Sequence, residues 1–328
     1  MQRMLLTILS IVLASPFSNA ADKIPPRVTI GTAKLVLPKG AGEGPAWDTK
    51  LGLLFSGAGN INRLDREGTL RIYREGAGTN GLLFDSKGRL LACEPGQRRF
   101  TRTENGKVTV LAERFAGHRF NQPNDLAVDS TGRIYFSDPK YGPRTDIEMV
   151  DENGRQVEGV YCIHLDGKVT RVITHEADRP NGLLVTPDDK FLYVADNNNN
   201  DIGAARKLWR FKRNADASLD LKSKELIYDW GDSRGPDGMA MDTAGNLYVA
   251  GGLNKPNPPA ETNKKAGGIY IFDPQGALFE FVAIPRDEVT NCSFGDDDLK
   301  TLYITAGGTL WSIRSKFSGR LAWPVAGK

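Results

Sequence analysis

Asn124 to Asp138 reads NDLAVDSTGRIYFSD, and this stretch decides the fold. Leu126 and Val128 stand two apart, the period of a strand and not of a helix. Ser130-Thr131-Gly132 is tight-turn chemistry, and a second apolar run follows from Ile134, so the stretch is a hairpin. Five more segments repeat its grammar: EGPAWDTKLGLLFSG from Glu43, NGLLFDSKGRLLACE from Asn80, NGLLVTPDDKFLYVAD from Asn181, DGMAMDTAGNLYVAG from Asp237 and TNCSFGDDDLKTLYITA from Thr290. Each opens on a polar residue, usually followed by glycine. In the last copy, aligning Cys292 and Phe294 with the other alternating pairs puts Thr290, not Asn291, in the leading place.

The copies start 37 to 57 residues apart, and further strand-like runs such as GVYCIHL, KLWRFKR and GGIYIFD lie between them. That leaves room for about four short strands per unit, the spacing of propeller blades. The expected fold is therefore all-β, a six-bladed β-propeller with four-stranded blades around a central channel. The early run KLVLP near Lys34 completes the sixth blade beside LWSIRSK, and the tail after about Phe317 reads as irregular. Long amphipathic helices, which a helical solenoid would need, are not visible; a two-domain α/β chain is the structural alternative.

Arg3, the apolar run Met4 to Ala14 and the small residues of Ser18-Asn19-Ala20 have the pattern of an export signal cleaved before Ala21. We thus expect residues 1–20 to be a signal peptide, 21–328 a single propeller domain, and the mature protein to be periplasmic or secreted. The apolar run is too short to span a bilayer. With 43 basic against 40 acidic residues there is no electrostatic footprint for nucleic acid, and no membrane span or obligate protein partner is indicated. Cys93, Cys162 and Cys292 each sit in a strand-like run and read as buried thiols. The three histidines lack zinc-ligand spacing. A GxSxG elbow and a phosphate-binding glycine loop are both missing.

Equivalent positions of successive blades form a ring around a propeller's channel. Here the leading places hold Glu43, Asn80, Asn124, Asn181, Asp237 and Thr290, every one an oxygen donor. Asn-Gly and Asp-Gly are also ordinary turn pairs, but Glu43 is a poor turn residue. Two carboxylates with several neutral oxygens suit one divalent cation, calcium foremost, with zinc, manganese or magnesium as alternatives.

The motifs EGPAWD, NQPNDLAVDSTGRIYFSDPKYG, RPNGLLVTPDDKFLYVADN, GPDGMAMDTAGNLYVAGG and TNCSFGDDDLKTLYITA, in that order over roughly residues 30 to 315, resemble the gluconolactonase/regucalcin (senescence marker protein) family. The resemblance implies a six-bladed propeller with a catalytic divalent cation that hydrolyses a small-molecule lactone. Carried across motif by motif, it implies Glu43, Asn181 and Asp237 as metal ligands and Asn124 as a contact to metal or substrate. The more distant diisopropyl fluorophosphatase is similar in this quartet. Animal regucalcins have a sugar-holding arginine two residues before the PND asparagine; Gln122 stands there, with Arg119 and Asn121 nearby as in bacterial members. Arg119, Asn121 and Asn124 are accordingly the expected substrate contacts.

In the implied chemistry Asp237 is the catalytic residue, as general base, as nucleophile, or as ligand only beside a metal-bound hydroxide. His118 is a second candidate base, and Asp138 and Tyr141 of SDPKYG are open as substrate contacts or turn residues. A phosphotriesterase-like metal hydrolase and a non-catalytic binding propeller remain as alternatives. The insertion around Arg144 to Gln156 and the loop after Leu253 are expected to rim the channel mouth.

Overall fold

The computed structural model describes residues 27–321. It consists of six antiparallel four-stranded sheets, and the expected all-β propeller is the fold. The expected signal peptide lies outside the described residues.

The first strands of the blades are Glu43–Asp48, Leu82–Phe84, Leu126–Val128, Pro180–Val185, Pro236–Met241 and Val289–Gly295. They pack against one another around the axis, and in the first five blades the chain meanders outward through three more strands. The sixth blade is built from both ends of the chain: Thr29–Leu37 pairs with Thr309–Ser315, matching Lys34 with Ser312 and Leu35 with Trp311. A small hairpin, Arg114–Phe115 with His118–Arg119, stands beside the third blade.

Local chemistry explains the repeating hairpin. Leu126 pairs with Phe136 and Val128 with Ile134, and the turn between them is fixed by Asp129, whose Oδ1 accepts the N–H groups of Thr131 and Arg133. Asp85 and Asp242 do the same for Lys87 and Arg89 and for Ala244 and Asn246. Such Asx turns bring two strands into register without tertiary help.

Apolar side chains collect between the blades, one cluster for each of the six interfaces among the described residues, so the ring is closed by burial as well as by strand pairing. Between blades two and three, Phe120 meets Phe136 and Tyr161 edge-on, with ring centroids 5.0 and 5.1 Å apart. Fully burying an aromatic of this size contributes about 1.5–3 kcal/mol. Cys93, Cys162 and Cys292 are buried free thiols within these clusters. No helix among the described residues is long and apolar enough to cross a membrane.

Candidate functional site

The leading polar residues sit where the first strands begin. Glu43 opens its strand; Asn181, Asp237 and Thr290 are second in theirs; Asn80 and Asn124 stand two residues ahead. Asn80 and Asn124 still extend the pairing, donating their backbone N–H groups to Cys93 and Ser137. Each of the six blades thus places an oxygen-bearing residue at or just before the start of its first strand.

The next residue of each blade forms a second tier: Gly44, Gly81, Asp125, Gly182, Gly238 and Asn291. Here the strands approach so closely that side chains have little room. A Cβ on Gly182 would lie 2.0 Å from the carbonyl oxygen of Asp237, and one on Gly44 2.3 Å from that of Asn80. Where glycine is absent, a polar side chain takes up the space. Asn291 stands where a Cβ on Gly238 would fall, 2.0 Å from its amide carbon. Its Nδ2 donates to Glu43 Oε2 at 3.3 Å, and its Oδ1 accepts the Cys292 N–H. Asp125 accepts the N–H of Leu126 through Oδ1 and, at 3.4 Å, that of Leu183 in the next blade through Oδ2.

Asp125 is the residue that the repeat did not single out. Glu43 and Asp237 are the carboxylates of the first tier, but a third lies directly behind them. All three are perturbed in the same direction. Burial, then the charge of Asp125, pushes Glu43 up to about 8. Burial lifts Asp125 to about 7, its hydrogen bonds only partly offsetting this. Asp237 is raised well above the usual carboxylate range by burial and then by Glu43, with Arg234 pulling the other way. Buried like charges of this kind resist joint ionisation unless a cation is present.

The amides are poised differently. Asn181 Nδ2 donates to Tyr141 Oη at 2.8 Å, which leaves Asn181 Oδ1 buried with no hydrogen-bond partner; Asn80 Oδ1 is likewise buried and unpartnered. Buried oxygens without donors are costly, and a hard cation satisfies them. Among the described residues no three His, Cys, Asp or Glu side chains are placed to hold a metal by themselves. Any ion bound here must draw on amide oxygens, and the first tier offers them.

The other expected contacts fall in different places. Arg119 is exposed on the small hairpin, its backbone N–H on the Glu148 carboxylate. Asn121 is only 2% exposed; its Nδ2 donates to the carbonyls of Asp138 and Val157, and its Oδ1 is buried without a hydrogen-bond partner. Asp138 is buried too; it accepts the Asn121 N–H, and burial raises it to about 8. His118 stands opposite Phe115 in the hairpin. Gln122 accepts the Tyr141 N–H at 2.9 Å. Arg234 pairs with Glu261 and Glu288.

The family described as SMP-30/Gluconolactonase/LRE-like region matches residues 41–308, which spans all six first strands. The chain belongs to that family. Among relatives of this SMP-30/gluconolactonase group, a gluconolactonase of Zymomonas mobilis is 29% identical over 255 residues, covering 75% of this chain and 65% of that protein, just under two thirds of its length. A 6-deoxy-6-sulfogluconolactonase of Pseudomonas putida is 27% identical over 298 residues, 88% of this chain and 90% of its own. The solved structure of a Xanthomonas campestris gluconolactonase superposes with a TM-score of 0.72 at 29% identity, covering 86% of this chain and 89% of the other.

Proposed function

We propose that this protein is a metal-dependent lactonase acting on a sugar-type lactone in the propeller channel. The observation that carries the reading is the first tier itself: Glu43 and Asp237, both half-buried and both raised above the usual carboxylate range, beside the unpartnered Oδ1 of Asn181. Relatives named gluconolactonase and 6-deoxy-6-sulfogluconolactonase support the substrate class.

Glu43, Asn181, Asp237 and Asn124 would hold the ion. Calcium, which accepts a loose shell of carboxylate and amide oxygens, suits them better than zinc, manganese or magnesium. When bound, such an ion supplies Lewis-acid polarisation of the lactone carbonyl. Asp237 takes the proton of the attacking water on its carboxylate as the water oxygen bonds to the acyl carbon. The ring C–O bond then breaks, the freed alkoxide recovers that proton, and a hydroxy acid leaves. Arg119, Asn121 and Asn124 are the proposed substrate contacts, Arg119 from the exposed hairpin. We also propose that residues 1–20 direct export to the periplasm or medium, so that the mature protein begins at Ala21.

The test is hydrolysis of a panel of sugar, aliphatic and aromatic lactones by the purified protein. A sugar lactone should be turned over fastest, chelation should abolish turnover, and calcium should restore it. Hydrolysis that proceeds unchanged in excess chelator would overturn the proposal.

A further inference from the structure

We infer that Tyr141 is a positioning residue that sets which end of the Asn181 side chain faces the channel, an inference that rests on the metal site proposed above. The two ends of an asparagine amide are nearly alike in shape and opposite in chemistry. Oδ1 can ligate a cation, and the NH2 group cannot. Shape alone therefore does not orient Asn181, and a polar neighbour has to.

Tyr141 has the required polarity. Its hydroxyl oxygen stands 3.4 Å from the backbone carbonyl oxygen of Asn197, an atom that can only accept, so this contact uses the hydroxyl as donor. The phenolic lone pairs are left for Asn181, and only the NH2 end can meet them, at 2.8 Å. Oδ1 is thereby turned the other way, where it is buried with no partner. Were the amide reversed, the hydroxyl would have to turn from Asn197 to donate to Asn181 Oδ1, giving up the carbonyl contact, and the NH2 group would point at the place of the cation.

Tyr141 is itself fixed from two sides. Its N–H donates to Gln122 Oε1 at 2.9 Å. The Arg179 guanidinium, itself fully buried, covers its ring with 5.1 Å between the guanidinium carbon and the ring centroid, a cation–π contact. Arg179 is held in turn by Glu158, to which Nε donates at 3.1 Å, and Glu158 also accepts the Lys140 N–H and pairs with Arg144. Tyr141 and Glu158 bracket the long insertion of the third blade, and both close on Arg179, two residues before Asn181. The insertion thus reaches the first tier through one phenolic oxygen.

The test is a double-mutant cycle on the full chain, with calcium binding followed by calorimetry. Tyr141→Phe keeps the ring over Arg179 and removes only the hydroxyl. Losing one orienting hydrogen bond should weaken calcium binding by about tenfold. In an Asn181→Asp background both side-chain ends are oxygens and need no orienting, so the same Tyr141→Phe change should alter calcium affinity by less than about twofold. An equal loss in both backgrounds would mean that Tyr141 acts through packing, and would overturn the inference. Gln122→Ala, which frees the Tyr141 backbone without touching its ring, should give a smaller loss of the same kind and serves if Tyr141→Phe does not fold.

A second readout needs no metal. The side-chain NH2 signals of Asn181, identified by their disappearance in Asn181→Asp, should exchange with solvent faster in metal-free Tyr141→Phe than in the parent. Unchanged exchange overturns the inference whatever the calcium result. Tyr141-dependent exchange in a chain that binds no calcium supports the orientation and removes the metal from the proposed function instead.

Discussion

Asp125 and Asp129 lie four residues apart, at opposite ends of the short strand Leu126–Val128, and the protein treats their carboxyl groups in opposite ways. Both are nearly excluded from solvent. At the turn end, Asp129 Oδ1 accepts from the Thr131 and Arg133 N–H groups and the Thr131 hydroxyl, and Oδ2 meets the guanidinium groups of Arg133 and Arg213, each at 2.6 Å. Burial alone would raise it, but these donors together hold it below the usual carboxylate range. At the channel end, Asp125 has two backbone N–H donors and Asn291 for company, with Glu43 close by, and it rises to about 7. What separates the two ends is the supply of donors. The turn end is complete as it stands, and the channel end is a set of acceptors in want of positive charge.

The largest effect that would sharpen this contrast belongs to Asp237→Asn. With calcium saturating, turnover should fall by about 10²–10⁴-fold, the usual loss on removing general-base assistance. Glu43→Gln should instead weaken calcium while leaving turnover that excess calcium partly recovers. Steady-state kinetics across a calcium titration separates the two. Near-full activity in metal-loaded Asp237→Asn would make that residue a ligand only.

Next in size is the turn end. Asp129→Asn leaves the buried Arg213 with Asp189, at 3.4 Å, as its remaining carboxylate and should cost about 1–3 kcal/mol of stability. Activity per folded molecule should not change. Asp129 is depressed in the folded state, so its contribution is present above the unfolded value near pH ~4 and disappears as pH falls below it. Denaturant unfolding at pH 7 and pH 3 should show the variant's penalty shrinking in acid; a constant penalty would mean that packing, not charge, holds the turn.

A further way to break the contrast is the pH response of the channel. Glu43 and Asp125 are raised, to about 8 and about 7, so the metal-free protein holds more protons than the unfolded chain between those values and the ordinary carboxylate range near ~4. The sign follows: metal-free stability should fall as pH rises from about 4 through 8, and calcium should remove most of that slope. Calcium binding near pH 7 should release protons, seen as a dependence of binding heat on buffer. A metal-free melting temperature that climbs over this range would break the comparison of the two ends.

The blades and the first tier were legible because strand alternation and turn residues are local signals repeated six times. The second tier was half legible. Glycine follows the polar residue in four copies, and the exceptions, Asp125 and Asn291, are the positions where a side chain enters the channel. That exception to the repeat is the signal by which a third carboxylate can be found. Tyr141, Arg179 and Glu158 gave no such signal, since they are brought together by the long insertion of the third blade and not by the repeat. Nor does sequence reveal that the Asn121 amide ties two carbonyls through its Nδ2.

The pairing of Thr29–Leu37 with Thr309–Ser315 has a mechanical consequence. The two strands run antiparallel with Thr29 opposite Ser315 and Leu37 opposite Leu310, so the ends of the propeller leave from the same side. A load applied between those ends falls on one residue pair at a time, beginning at Thr29 and Ser315, and peels the strands apart like a zip instead of shearing the whole ladder at once. The ring is thus weakest against a pull on its own two ends, and strong against forces that try to part any two blades along their buried faces.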